Sequence, residues 1–233
     1  MTITLRPAAQ RGHADHGWLV SHHSFSFAHY YDERHMGFRS LRVINDDVIA
    51  PASGFPTHGH RDMEIVTYVI DGALSHRDTT GGSGTLARGD VQAMSAGSGI
   101  RHSEFNASRA DKLRLLQIWL LPEGDGLAPA YDQTNFPDGD KLGRLRLIAS
   151  PTGAEGSLLI HQDARIYASI LESGQTVTHA LKKGRGAWIQ VATGTVEVGG
   201  LTLSEGDGAA VEDVDSIGIT AKGPAEFLLF DLA

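Results

Sequence analysis

EIVTYVI, Glu64 to Ile70, runs straight into Asp71-Gly72 and out again through ALSH, Ala73 to His76. β-Branched and aromatic residues on either side of an Asp-Gly pair predict two strands joined by a tight turn. The same grammar recurs in VATGTVEV, Val191 to Val198, around Thr193-Gly194. Each copy then reaches a Gly-Asp turn before another strand, in LARGDVQAM (Leu86 to Met94) and in LSEGDGAAV (Leu203 to Val211). The turn glycines stand 17 residues apart in the first copy (Gly72, Gly89) and 12 in the second (Gly194, Gly206). Order and spacing agree, so the chain reads as two β-barrels of one topology.

The rest of the chain fits that reading. LRVINDD (Leu41 to Asp47), LRLLQIWLL (Leu113 to Leu121) and LRLIA (Leu145 to Ala149) are short and aliphatic. LLIHQ, RIYASIL, AWIQVATG, SIGIT and EFLLFDL continue the pattern, and no long segment has helical periodicity. The expected architecture is all-β, with two jelly-roll barrels in tandem. Residues 1–121 form the first domain, 122–144 a linker with room for short helices, and 145–233 the second domain.

Composition removes several function classes. Lys plus Arg is 20 against 28 Asp plus Glu, a net charge of −8, and neither half is basic. No nucleic acid and no membrane partner is expected, since both need a basic face. The N-terminus has no apolar leader core, and no run approaches the ~20 residues of a membrane span. Cysteine is absent, which excludes disulfides, thiolate metal sites and a cysteine nucleophile. A cytoplasmic location is compatible with that. No G-x-S-x-G elbow is present for a serine hydrolase. Of 12 histidines, ten lie at or before His102, so imidazole chemistry belongs to the first half.

Two clusters carry that chemistry. PTHGHRDME (Pro56 to Glu64) holds His58 and His60, and GIRHSEFN (Gly99 to Asn106) holds His102 and Glu104. Each pair has i, i+2 spacing, which on a strand turns both side chains to one face. Three imidazoles and one carboxylate make a plausible mixed nitrogen/oxygen site for one divalent metal. Without sulfur it suits Fe(II), Mn, Ni, Cu or Zn, and the spacing does not choose between them.

These stretches resemble the pirin family of bicupins. Gly54, His58, His60, Glu64 and Gly72 match the first cupin motif, and GDVQAMSAGSGIRHSEFN (Gly89 to Asn106) matches the second. HHSFSFAHYYDERHMGFRSLRVINDD (His22 to Asp47) and the closing FLLFDL are similar to the family's ends. In pirins the carboxylate ligand follows the second-motif His by two residues. The resemblance therefore implies a metal held by His58, His60, His102 and Glu104, with Glu64 outside the ligand set. It implies iron(II) first, with copper, manganese, nickel, cobalt or zinc as alternatives. For bacterial members it implies a quercetin 2,3-dioxygenase: a flavonol and O2 give a depside and carbon monoxide, with Glu104 as base. Mammalian members imply the alternative, a redox-responsive binding protein linked to transcription cofactors and without turnover. A cupin isomerase or a dioxygenase for another enol is a further rival. No protein partner is identified.

The second half keeps only His179 at its first motif and no His at its second, so no metal is expected there. The remaining residues have plainer readings. His13, His16, His29 and His35 are expected in solvent, His76 on an exposed strand, and His161 and His179 in structural or surface roles. His22 or His23 is a weak candidate for the pocket. Phe25, Phe27, Phe38 and Trp119 are expected in the core. Glu64 is expected either to hold an imidazole or to lie on the surface.

Overall fold

A computed structural model describes residues 1–233. The strands are β1 (Thr2–Arg6), β2 (Gly12–Asp15), β3 (Leu19–His23), β4 (Leu41–Ile49), β5 (Gly54–His60), β6 (Glu64–Asp71), β7 (Ala73–Asp78), β8 (Ser83–Ala87), β9 (Asp90–Ser95), β10 (Ile100–Asn106), β11 (Leu113–Leu120) and β12 (Ala130–Asn135). After the one-turn helix α1 (Asp138–Lys141) come β13 (Arg146–Ser150), β14 (Leu158–Leu159), β15 (Ala164–Leu171), β16 (Thr176–Ala180), β17 (Gly186–Thr193), β18 (Thr195–Val198), β19 (Leu201–Ser204), β20 (Gly208–Glu212), β21 (Ser216–Ala221) and β22 (Ala225–Leu232). The protein is all-β, and no helix is long and apolar enough to cross a membrane.

The chain divides into two units. One comprises Gly12–Phe136 with Leu158–Gln162, the other Met1–Arg11, Pro137–Ser157 and Asp163–Ala233. These limits differ from the sequence boundaries at both ends of the first domain. β1 pairs with β20, so the first residues belong with the C-terminal strands. The segment read as a linker contains β12, which pairs with β9 along its whole length. The short helix expected there lies just beyond, as α1.

The topology is duplicated. In the first unit a large sheet runs β12-β9-β6-β11-β4-β3-β2, and a small one runs β5-β10-β7-β8. In the second, β1-β20-β17-β22-β15-β13 and β16-β21-β18-β19 follow the same order. The turn glycines take equivalent conformations. Gly72 has φ +84° and Gly194 φ +76°, a region closed to most side chains. Of the five extra residues in the first copy, two lie in the turn Thr79–Gly82 and three in the longer strands β7 and β8.

The same frame is filled in two ways. The second unit has a large apolar cluster that includes Ile189, Val191, Ala209, Phe227 and Leu229. The first has separate clusters, one around Leu19, Val69, Leu113 and Leu115, the other around Ile65, Met94 and Ile100. Between them runs a row of polar residues. Pairing sets His23, Asn45, Gln117, Thr67 and Gln92 side by side across β3, β4, β11, β6 and β9. Counted from the matched turn glycines, Thr67 corresponds to Ile189 and Gln92 to Ala209. In the second unit Ile189 pairs directly with Ala209 on one side and with apolar Leu229 on the other.

A Cβ on Gly72 would sit 2.8 Å from the Lys112 carbonyl and 2.9 Å from Leu113 Cα, whereas one at Gly17 would meet nothing within 4 Å. Gly72→Ala is therefore expected to lose about 1–3 kcal/mol. Gly17→Ala, with φ +79° but open space, should lose less. Urea unfolding of both variants checks this, and equal losses contradict it.

Candidate metal centre

β5 and β10 pair antiparallel, with His58 opposite His102 and His60 opposite Ile100. Burial alternates along β10, so His102 and Glu104 both face inward while Arg101 and Phe105 face out. The i, i+2 expectation holds for both pairs. The three imidazoles converge: His60 Nε2 is 2.9 Å from His102 Nε2, which is 3.0 Å from His58 Nε2. His58 Nδ1 lies 2.9 Å from the Pro56 carbonyl, an acceptor only. Nδ1 therefore carries the proton, and the Nε2 lone pair faces its neighbours. Burial, aided by the facing His58, pushes His60 down to about 4. Burial, with His58, His60 and His76 beside it, pushes His102 down to about 3. Neutral imidazoles with inward nitrogens are the form that ligates a metal. The donor set thus fits a cupin-type cation site of borderline softness.

Glu104 is buried on the same strand, with a ring of amides around it. Gln92 Nε2 donates to Oε1 and Gln117 Nε2 to Oε2, each at 2.8 Å. Thr67 closes the ring, donating to Gln117 Oε1 at 2.9 Å and accepting from Gln92 Nε2 at 2.8 Å. Burial pushes the Glu104 carboxyl up to about 7, helped by the charge of Asp47 and opposed by the two amides. Glu104 does not join the three convergent imidazoles directly. It forms a second set with His76 and His102, whose potential ligand atoms lie within 4.8 Å of one another.

Several plainer readings change. His76 is not exposed: it is 2% accessible, bonded through Nε2 to Asp78 at 2.9 Å and stacked on Tyr131. It faces inward because Glu104 is its cross-strand partner. His23 is buried beside Asn45, whereas His22, one residue along β3, is not. Phe25 is core, but Phe27 and Trp119 line a cavity and meet edge to face at 5.3 Å. Trp119 also packs edge-on to His60 at 5.0 Å. His13, His16 and His29 are exposed but stand along the same cavity. Glu64 is buried and accepts from Ser95 Oγ at 2.8 Å and from the His161 backbone N–H at 3.1 Å. In the second unit His179 pairs with Asp231 at 2.9 Å.

The cavity has a volume of about 640 Å³, within the range of small-molecule pockets. His58, His60, His102 and Glu104 form one part of its wall, and Phe27, Phe55, Ile65 and Trp119 supply apolar surface. Gln117 also lines it, and the amide ring that Gln117 forms with Thr67 and Gln92 was missed by sequence reasoning. Thr67, Gln92 and Gln117 are single polar residues inside otherwise apolar strands, and that interruption was the available signal.

Residues 4–120 match the family model described as Pirin, and 147–232 match the quercetinase C-terminal cupin domain. The chain is 48% identical over 230 residues to the quercetin 2,3-dioxygenase of Escherichia coli strain K12, covering 99% of this chain and 98% of that one. It is 47% identical to a pirin-like protein of Caulobacter vibrioides, covering 99% and 100%. Among solved structures, the bacterial pirin YhhW of Escherichia coli in complex with nickel(II) superposes with a TM-score of 0.94 at 47% identity, covering 99% of each chain.

Gln117→Leu removes one donor from the buried Glu104 carboxylate and one acceptor from Thr67. The expected loss is about 2 kcal/mol in the metal-free protein. Adding Glu104→Gln should recover part of it, because a neutral amide needs fewer donors. Chemical denaturation of both variants decides; strictly additive losses would break the link between the two side chains.

Proposed function

The chain belongs to the pirin family, and on that premise we propose that it is a metal-dependent dioxygenase that cleaves flavonols such as quercetin. The overall reaction takes one flavonol and one O2 to a depside and carbon monoxide. The observation that carries the reading is the convergence of three imidazole nitrogens beside a cavity with apolar and aromatic walls. His58, His60 and His102 are assigned as metal ligands, and Glu104, which stands outside their immediate cluster, as the base and as the fourth ligand once it closes on the ion. Iron(II) is the proposed native metal. Nickel(II) bound to a relative at 47% identity supports a site open to other divalent ions. When bound, the metal supplies a Lewis-acid seat for the deprotonated flavonol oxygen and exchanges electrons with O2.

The chain's own residues do the rest. Phe27, Phe55 and Trp119 present faces and edges to a flat aromatic substrate and exclude water from it. His58 is held in register by its Pro56 bond. Glu104 takes the proton of the flavonol 3-hydroxyl on a carboxylate oxygen as a glutamine N–H gives way. Burial raises this carboxyl to about 7 in the metal-free protein, and a bound cation beside it would lower that value. The Gln92 and Gln117 amides keep the carboxylate oriented before and after the transfer.

O2 uptake on adding quercetin to anaerobically Fe(II)-loaded protein tests the proposal. Uptake is expected in the wild type and should vanish in His102→Ala. Glu104→Gln should retain some metal and lose most turnover, about 100-fold or more if general-base catalysis is removed. No uptake by protein with measured metal content would favour the redox-responsive binding protein instead.

A further inference from the structure

Glu104 is not the only carboxyl group turned toward this cavity. Asp47 lines it as well and is 2% exposed. Along β4 the side chains alternate, and Asp46 and Asp47 have different fates. Arg114 grips Asp46 through two bonds, Nε to Oδ1 at 2.9 Å and Nη2 to Oδ2 at 3.0 Å. Asp47 lies opposite Ser21 on β3, whose hydroxyl hydrogen-bonds its carboxyl. The next inward pair on these strands is His23 and Asn45, joined at 2.8 Å between Nδ1 and Oδ1. Asp47 Oδ1 is left buried with no hydrogen-bond partner.

An acceptor held out of water and without a donor is costly, and buried polar atoms are otherwise nearly always paired. The surrounding protein offers this oxygen no donor, and the side chain that carries it lines the cavity wall. Ser21 holds the carboxyl from the flank. Cavity walls of Leu19, Phe27 and Trp119 suit an aromatic ligand rather than a solvated ion. The flavonol reading needs one hydroxyl at the metal pole and says nothing of the others.

Resting on that reading, we propose that Asp47 is the acceptor for a second hydroxyl of the substrate. The pocket then takes polyhydroxylated aromatic enols and discriminates against those lacking that one group. Asp47 is a recognition residue in this scheme, Ser21 positions it, and neither holds the metal.

The test is equilibrium binding, read by quenching of protein fluorescence under anaerobic conditions so that no turnover intervenes. Metal-loaded wild type, Asp47→Ala and Asp47→Asn are titrated with quercetin and with analogues each lacking one ring hydroxyl other than the enol. Metal content and circular dichroism confirm that each variant is folded and loaded. In the wild type one deletion should weaken binding about 10-fold, the upper range for an ordinary hydrogen bond. The same deletion should cost nothing further in Asp47→Ala. Asp47→Asn, nearly isosteric and still carrying a carbonyl acceptor, should keep part of the discrimination. If every deletion costs the same in all three proteins, the oxygen is served by water and the assignment is overturned. If the wild type binds no flavonol at all, the flavonol reading falls and takes this assignment with it.

Discussion

A carboxylate buried inside a β-barrel must be given donors, and that requirement organises the first unit. Glu104 receives two, from Gln92 and Gln117, and Thr67 locks both amides into one ring. These residues sit on β9, β11 and β6, neighbours in the sheet that faces β10. Their positions are fixed by strand register: a slip of one residue on any strand would turn its polar side chain away from the carboxylate. The row extends through Asn45 to His23, so five adjacent strands each commit at least one inward position to polar contact. Apolar packing continues on either side of the row, where the clusters around Val69 and Ile65 hold the sheets together.

The second unit shows what the frame looks like without that demand. Its strand order repeats that of the first. Where the first unit has Thr67 and Gln92, the matched positions are Ile189 and Ala209, both fully buried in a continuous apolar core. Its remaining motif histidine, His179, is taken up by Asp231, which also receives Arg185. The duplication thus separates the requirements of the fold from those of the site. Alternating apolar strands and positive-φ turn glycines are common to both units, while the polar row and the imidazole cluster belong to one.

Most of the fold was legible because its signals are local. The Asp71-Gly72 and Thr193-Gly194 turns, with the Gly-Asp turns after them, announce strand pairs that recur in order. The swap of β1 into the C-terminal unit was not legible, because TITLR carries no mark of a partner some 200 residues away. β12 was hidden for a related reason. AYDQTN is polar and largely exposed, so it lacks the alternation that marks a half-buried strand. At the site, i, i+2 spacing placed His58, His60, His102 and Glu104 on inward faces. It could not show that Glu104 groups with His76 and His102, since that depends on the cross-strand pairing of β10 with β7. Asp47, Gln92 and Gln117 were invisible as a group because their proximity comes only from the stacking of registers.

The central claim is that register in the first unit builds one metal centre at the three convergent imidazoles, while the apolar second unit builds none. Anomalous diffraction at the metal edge, from crystals of the metal-loaded protein, measures this directly. The account predicts a single strong peak per chain among His58 Nε2, His60 Nε2 and His102 Nε2. A principal peak in the second unit, or one held by His76 and Asp78 away from His58 and His60, would contradict it.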